Sequence, residues 1–85
     1  MYDLVSFVGR GGVRRRVIKG LIKPNSPTDL AKQLDIERST VSRVILELAE
    51  KGLVECLTPD SRMGRYYRTT EIGRKVIDVI EGKGE

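Results

Sequence analysis

The side chains in this sequence that could do chemistry are guanidinium, ammonium and hydroxyl groups. They cluster in Arg38-Ser39-Thr40-Val41-Ser42-Arg43, and arginines recur at Arg62, Arg65 and Arg68. Arg14-Arg15-Arg16 with Lys19 is the densest basic run, with no acid between Arg10 and Lys23. Groups of this kind donate hydrogen bonds to anions and to the polar edges of planar rings. Other chemistry is poorly supplied. There is no His and a single Cys, Cys56, so imidazole or thiolate metal cages and an intrachain disulfide are excluded. Acid–base catalysis would have to rest on carboxylates or lysine, and the 12 Asp and Glu are scattered among 16 Lys and Arg in the manner of solvated helix faces. We therefore expect a non-enzyme without metal or cofactor. The formal net charge of +4 leans towards an anionic partner.

The elements that must carry these groups fit one domain over residues 1–85. Tyr2 to Val8 is a short helix or an extended arm, set off by Gly9, Gly11 and Gly12. Val13, Val17, Ile18, Leu21 and Ile22 recur at helical spacing and leave Arg15, Arg16, Lys19 and Lys23 on the other side. Lys23-Pro24-Asn25-Ser26-Pro27 ends that helix and starts another, with Ser26 as N-cap, Pro27 at the first helical position and Asp29 closing a capping box. Leu30, Ala31 and Leu34 form its buried face. Asp35-Ile36-Glu37 breaks the run, and Val41, Val44, Ile45 and Leu48 restart it up to Gly52, a C-terminal cap. Helix, tight turn and helix over about 27–51 is the geometry of a helix-turn-helix.

Beyond Gly52 the period becomes strand-like at 53–57 and 65–69, joined by a turn rich in Pro, Asp, Ser and Gly. This hairpin, about 53–69, has Arg62 and Arg65 near its tip, and strand alternation turns Val54, Cys56 and Tyr67 inwards. Thr70 caps a final helix over about 70–81 with Ile72, Val76, Val79 and Ile80 on one face and Ile77 pointing away. The expected fold is α+β and mainly helical: a winged helix-turn-helix with a C-terminal β-hairpin wing and a final helix. No apolar run approaches the roughly 20 residues of a membrane span, and no secretory signal pattern opens the chain, so a cytoplasmic protein without membrane contact is expected.

The stretch Leu30 to Arg43, continuing through Leu48-Ala49-Glu50-Lys51-Gly52-Leu53-Val54, resembles the DNA-binding core of MarR-type and ArsR-type regulators. Tyr67-Arg68-Thr69-Thr70-Glu71-Ile72-Gly73-Arg74 is similar to the wing end and final-helix start of short archaeal members of that superfamily. Asp35 stands where the family often has glycine, and Glu37 replaces its usual Ser or Asp cap. The cysteine pair of ArsR-type metal sensors has no counterpart here.

The resemblance implies a double-stranded DNA-binding transcription regulator, most simply a repressor acting as a homodimer. Arg38, Ser39, Thr40, Ser42 and Arg43 would then face base edges and phosphates in the major groove. Arg62, Arg65 and Arg68 on the wing, and Arg15, Arg16 and Lys19 on the first amphipathic helix, would contact the sugar-phosphate backbone. Phe7 and Ile77 are the expected dimer contacts, as apolar residues in excess of one small core. The alternative is a winged-helix protein-interaction module. RNA binding ranks below both, since the few aromatics form no stacking platform. No effector pocket can be read from spacing.

Overall fold

A computed structural model describes residues 2–61 and 64–82, the side chain of Tyr2 excepted. The order is α1 (Tyr2–Arg10), α2 (Gly12–Gly20), α3 (Pro27–Leu34), α4 (Arg38–Glu50), β1 (Val54–Cys56), β2 (Tyr67–Thr69) and α5 (Glu71–Ile80). α2 and α3 pack on α4, and α1 packs on α2 and α5. The core between them is formed largely by Val17, Ile18, Leu21, Leu30, Val41, Ile45, Leu48, Leu53 and Val76. The expected winged helix-turn-helix is therefore the observed fold, and of the two readings of the N-terminal segment the helix is correct.

The caps explain where the helices begin. Ser26 Oγ accepts the Asp29 amide at 3.1 Å with Pro27 at the first helical position, and Thr70 Oγ1 accepts the Gly73 amide at 3.1 Å. The reciprocal half of the expected capping box differs: the Ser26 amide donates to Asn25 Oδ1 at 2.9 Å, and not to Asp29. Asn25 lies nearer along the chain and intercepts that donor. α3 ends on Asp35 in the left-handed region, φ 58° and ψ 47°, the conformation that glycine supplies in related turns. The Ile36 amide then reaches back to the Ala31 carbonyl at 3.0 Å, closing the turn.

α2 is shorter than its apolar spacing predicts, stopping at Gly20 with Leu21 as C-cap. The wing takes its last carbonyls. Thr69 Oγ1 donates to the Ile18 carbonyl at 2.6 Å, and the Thr69 amide donates to the Leu21 carbonyl at 2.8 Å. Leu21 stays fully buried, whereas Ile22, expected on the same stripe, is exposed.

β1 and β2 pair antiparallel in the register Val54↔Thr69, Glu55↔Arg68 and Cys56↔Tyr67, and each is three residues long, shorter than expected. Asn25 extends the pairing from the other side of β2, exchanging two backbone hydrogen bonds with Tyr67 at 3.1 and 2.9 Å. Tyr67 is buried as its strand phase requires, and Cys56 is half-buried against the core.

α5 corrects two expectations. Its inward face is Gly73, Val76 and Ile77, with Ile80 half-buried, while Ile72 and Val79 are 48% and 42% exposed. Gly73 sets this rotation. A Cβ there would run into the Leu53 carbonyl and Thr69 Cγ2, so α5 can lie this close to the hairpin only through glycine. Ile77, expected to point outwards, is consequently a core residue at 5% exposure.

Candidate nucleic-acid interface

α4 presents the candidate reading residues because its opposite side is anchored. Val41, Val44, Ile45 and Leu48 are buried, which turns Arg38, Ser39, Arg43 and Leu46 to the surface, with Thr40 and Ser42 partly exposed. Glu37 caps the helix without a side-chain hydrogen bond, so the first-turn amides remain available to an outside acceptor. Among the described residues, Arg38, Arg43, Ser39, Thr40 and Ser42 have no side-chain hydrogen-bond or ion-pair partner. Their donors are therefore uncommitted.

An open groove of about 380 Å³ joins this helix to the wing. It is lined by Thr28 and Asp29 of α3, Arg38 and Ser42 of α4, and Gly64, Arg65 and Tyr66 of the hairpin, among others. Arg38, Ser42 and Arg65 are thus brought together as expected. Thr28 and Tyr66 are additions that sequence reasoning missed. The signal for Tyr66 was present, since placing Tyr67 inwards places Tyr66 outwards. Thr28 follows Pro27 in the first turn of α3 and carries no signal beyond its position. Arg65 is exposed, and its Nε donates to the Ser61 carbonyl at 3.0 Å, which holds the guanidinium beside the groove.

The remaining candidates separate. Arg68 pairs across the hairpin with Glu55 at 3.1 Å, so part of its charge is already matched. Arg62 lies outside the described residues. Arg15, Arg16 and Lys19 do not join the α4 groove; they line a different cleft, about 370 Å³, between α2, α1 and α5, with Val8, Ile77 and Ile80 as its apolar part. Two of the three are engaged within the fold. Arg16 donates to the Leu34 carbonyl at the end of α3 at 2.6 Å, and Lys19 pairs with Glu81. Phe7 is half-buried under Arg14, whose guanidinium lies 3.9 Å from the ring centroid. Neither expected dimer contact is therefore a free apolar side chain.

Among the described residues no group of His, Cys, Asp and Glu could hold a metal, and no helix is long and apolar enough to cross a membrane.

Solved structures share this architecture. A MarR-family transcription regulator aligns at a TM-score of 0.77 and 23% identity, over 95% of this chain and 60% of its own. A mutant of MarR from E. coli, solved with operator DNA, aligns at 0.77 and 20% identity, over 94% of this chain and 59% of its own. A PadR-family transcriptional regulator from Eggerthella lenta aligns at 0.72 and 28% identity, over 96% of this chain and 80% of its own. This chain thus spans about three fifths of the length of the two MarR structures. No curated protein matches the sequence. The family profile of the HVO_A0261 N-terminal domain matches residues 2–83, and the chain belongs to that family, folded as a MarR-like winged helix.

Proposed function

We propose that this chain is a sequence-specific, double-stranded DNA-binding transcription regulator, acting in the cytoplasm as a repressor. The observation that carries the reading is the uncommitted donor set on the outer face of α4, Arg38, Ser39, Thr40, Ser42 and Arg43, continued by Arg65 across the groove. Arg43 has the planar fork that can take guanine O6 and N7 together. The first-turn amides of α4, Thr28 and the wing arginines are suited to phosphates, which fix register without reading sequence. The similar structures of transcription regulators, one of them with operator DNA, support this reading.

In this reading the regulator is a homodimer, so that two copies of α4 meet successive turns of a pseudo-palindromic site. With Ile77 in the core, the contact surface proposed for the second copy moves to the outer face of α5, at Ile72 and Val79.

The test is duplex binding across a salt series, using sequences selected from a random pool at stated ionic strength. Affinity should fall steadily as salt rises, because bound arginines displace phosphate counterions. A flat salt response, or no duplex binding at low salt, would return the domain to the protein-interaction reading.

A further inference from the structure

Arg14 is part of the densest basic run in the sequence, yet it contributes to neither the groove nor the α2 cleft. Its surroundings are specific. Nη1 donates to the Phe7 carbonyl at 2.9 Å, Nε lies 3.5 Å from Glu47 Oε1, and the guanidinium carbon stacks 3.9 Å from the Phe7 ring centroid. Three elements converge on one side chain: α1 through Phe7, α2 through Arg14 itself, and α4 through Glu47. The Phe7 carbonyl belongs to the last turn of α1, where carbonyls lack helical partners and the helix end is negative, so the cation is well placed there. The Lys51 nitrogen, just past α4, lies 5.2 Å from the same ring centroid and brings the far end of α4 to the same aromatic seat.

Glu47 follows Arg43 by one turn on α4, and its side chain is 37% exposed. An unpaired carboxylate there would repel the phosphates that the same helix approaches. Arg14 is its ion-pair partner, and among the described residues no second cation pairs with it.

We propose that Arg14 is a positioning residue for the duplex-binding helix: from its seat at the end of α1 it neutralises Glu47, so that the duplex affinity of α4 depends on this ion pair. The proposal rests on the duplex-binding reading above. Arg14 touches no DNA in this scheme. It acts through Glu47, and that route distinguishes it from a residue that only holds the fold.

The experiment measures fluorescence anisotropy of the full chain on a duplex selected from a random pool, at low salt. Arg14→Gln should weaken binding by about three- to fivefold, the scale of one partly exposed ion pair. Glu47→Gln alone should leave affinity at or above that of wild type, because it removes a negative charge and leaves the Arg14 cation unpaired. Adding Glu47→Gln to Arg14→Gln should restore affinity. Adding Asp78→Asn, an exposed charge on α5 that restores the same net charge, should not.

Equal rescue by Asp78→Asn, or wild-type affinity in Arg14→Gln, overturns the proposal. So does a Glu47→Gln single variant that binds markedly more weakly than wild type, which would mean that the pair acts by holding the fold and not by charge; this arm stands even if Arg14→Gln does not fold. Failure of the wild-type chain to bind any duplex overturns the duplex reading itself, and is seen before any variant is compared.

Discussion

Two basic regions of this small domain look alike in the sequence and differ in the structure. The run Arg14, Arg15, Arg16 and Lys19 on α2 is the denser, and much of it is used internally: Arg14 on Phe7 and Glu47, Arg16 on the Leu34 carbonyl, Lys19 on Glu81. Arg38 and Arg43 on α4 are sparser and uncommitted. The difference teaches that charge density along a chain is a poor guide to a binding face. A guanidinium whose donors are partly held by carbonyls or carboxylates of the same fold has fewer of them left for a ligand. Arg14, Arg16 and Lys19 thus serve contacts within the fold, and the proposed recognition rests on the uncommitted donors of α4.

The largest expected effect lies beneath the α2 region. Ile77 closes the apolar side of the α2 cleft and is buried to 5% exposure. Ile77→Ala should cost about 2–5 kcal/mol by truncation of a packed core residue, read as a lowered denaturation midpoint. For an 85-residue domain that is a large share of total stability. A loss below about half a kcal/mol, the range of an ordinary surface substitution, would instead move Ile77 back to the surface.

Next in size is the base-reading role given to α4. Arg43→Ala should lose about 1–3 kcal/mol of discrimination between the selected duplex and a scrambled one, with its denaturation midpoint unchanged. Arg65→Ala should weaken both duplexes about equally, as a phosphate contact does. Equal losses on both duplexes for Arg43→Ala would reclassify it as a backbone contact and shift the reading function towards Arg38.

Arg16→Ala supplies the opposite pattern. Losing its hydrogen bond to the Leu34 carbonyl should cost about 1 kcal/mol of stability, the net value of such a bond, while duplex discrimination stays unchanged. A loss of discrimination without a loss of stability would erase the contrast between the two regions.

What the sequence disclosed follows from where each signal is local. The caps at Ser26 and Thr70, the turn at Asp35 and the inward phase of Tyr67 are set by residues within a turn or a strand repeat, and each is found in the structure. The outward face of α4 was legible because the buried stripe Val41, Val44, Ile45 and Leu48 fixes its rotation. The face of α5 was not, because the residue that fixes its rotation is Gly73, which carries no hydrophobic weight and acts by permitting close approach to Leu53 and Thr69. The end of α2 was misplaced for a related reason: Thr69, far along the chain, takes the Ile18 and Leu21 carbonyls. The internal use of Arg14 and Arg16 likewise depends on partners that no spacing reveals.

The smallest expected effect concerns an apolar side chain within the charged face. Leu46 is 61% exposed, three residues after Arg43, about one turn farther along the same side of α4. A single exposed leucine needs no explanation by itself. On a helix face that enters the major groove, however, the apolar group it can meet is the thymine C5-methyl, which only an A·T pair presents. Replacing thymines by deoxyuridine in the selected duplex removes that methyl and leaves every hydrogen-bonding edge intact. At the base pair opposite Leu46 this should cost about 0.8 kcal/mol, the worth of one buried methylene-sized group. The same replacement should cost nothing further in Leu46→Ala, because the side chain that covered the methyl is gone. If deoxyuridine lowers affinity equally for wild type and Leu46→Ala, the methyl is read elsewhere, and Leu46 belongs with the solvent-facing residues of α4. If it does so only for wild type, the recognition face extends past Arg43 and combines charged with apolar reading, which the basic run on α2 has no means to do.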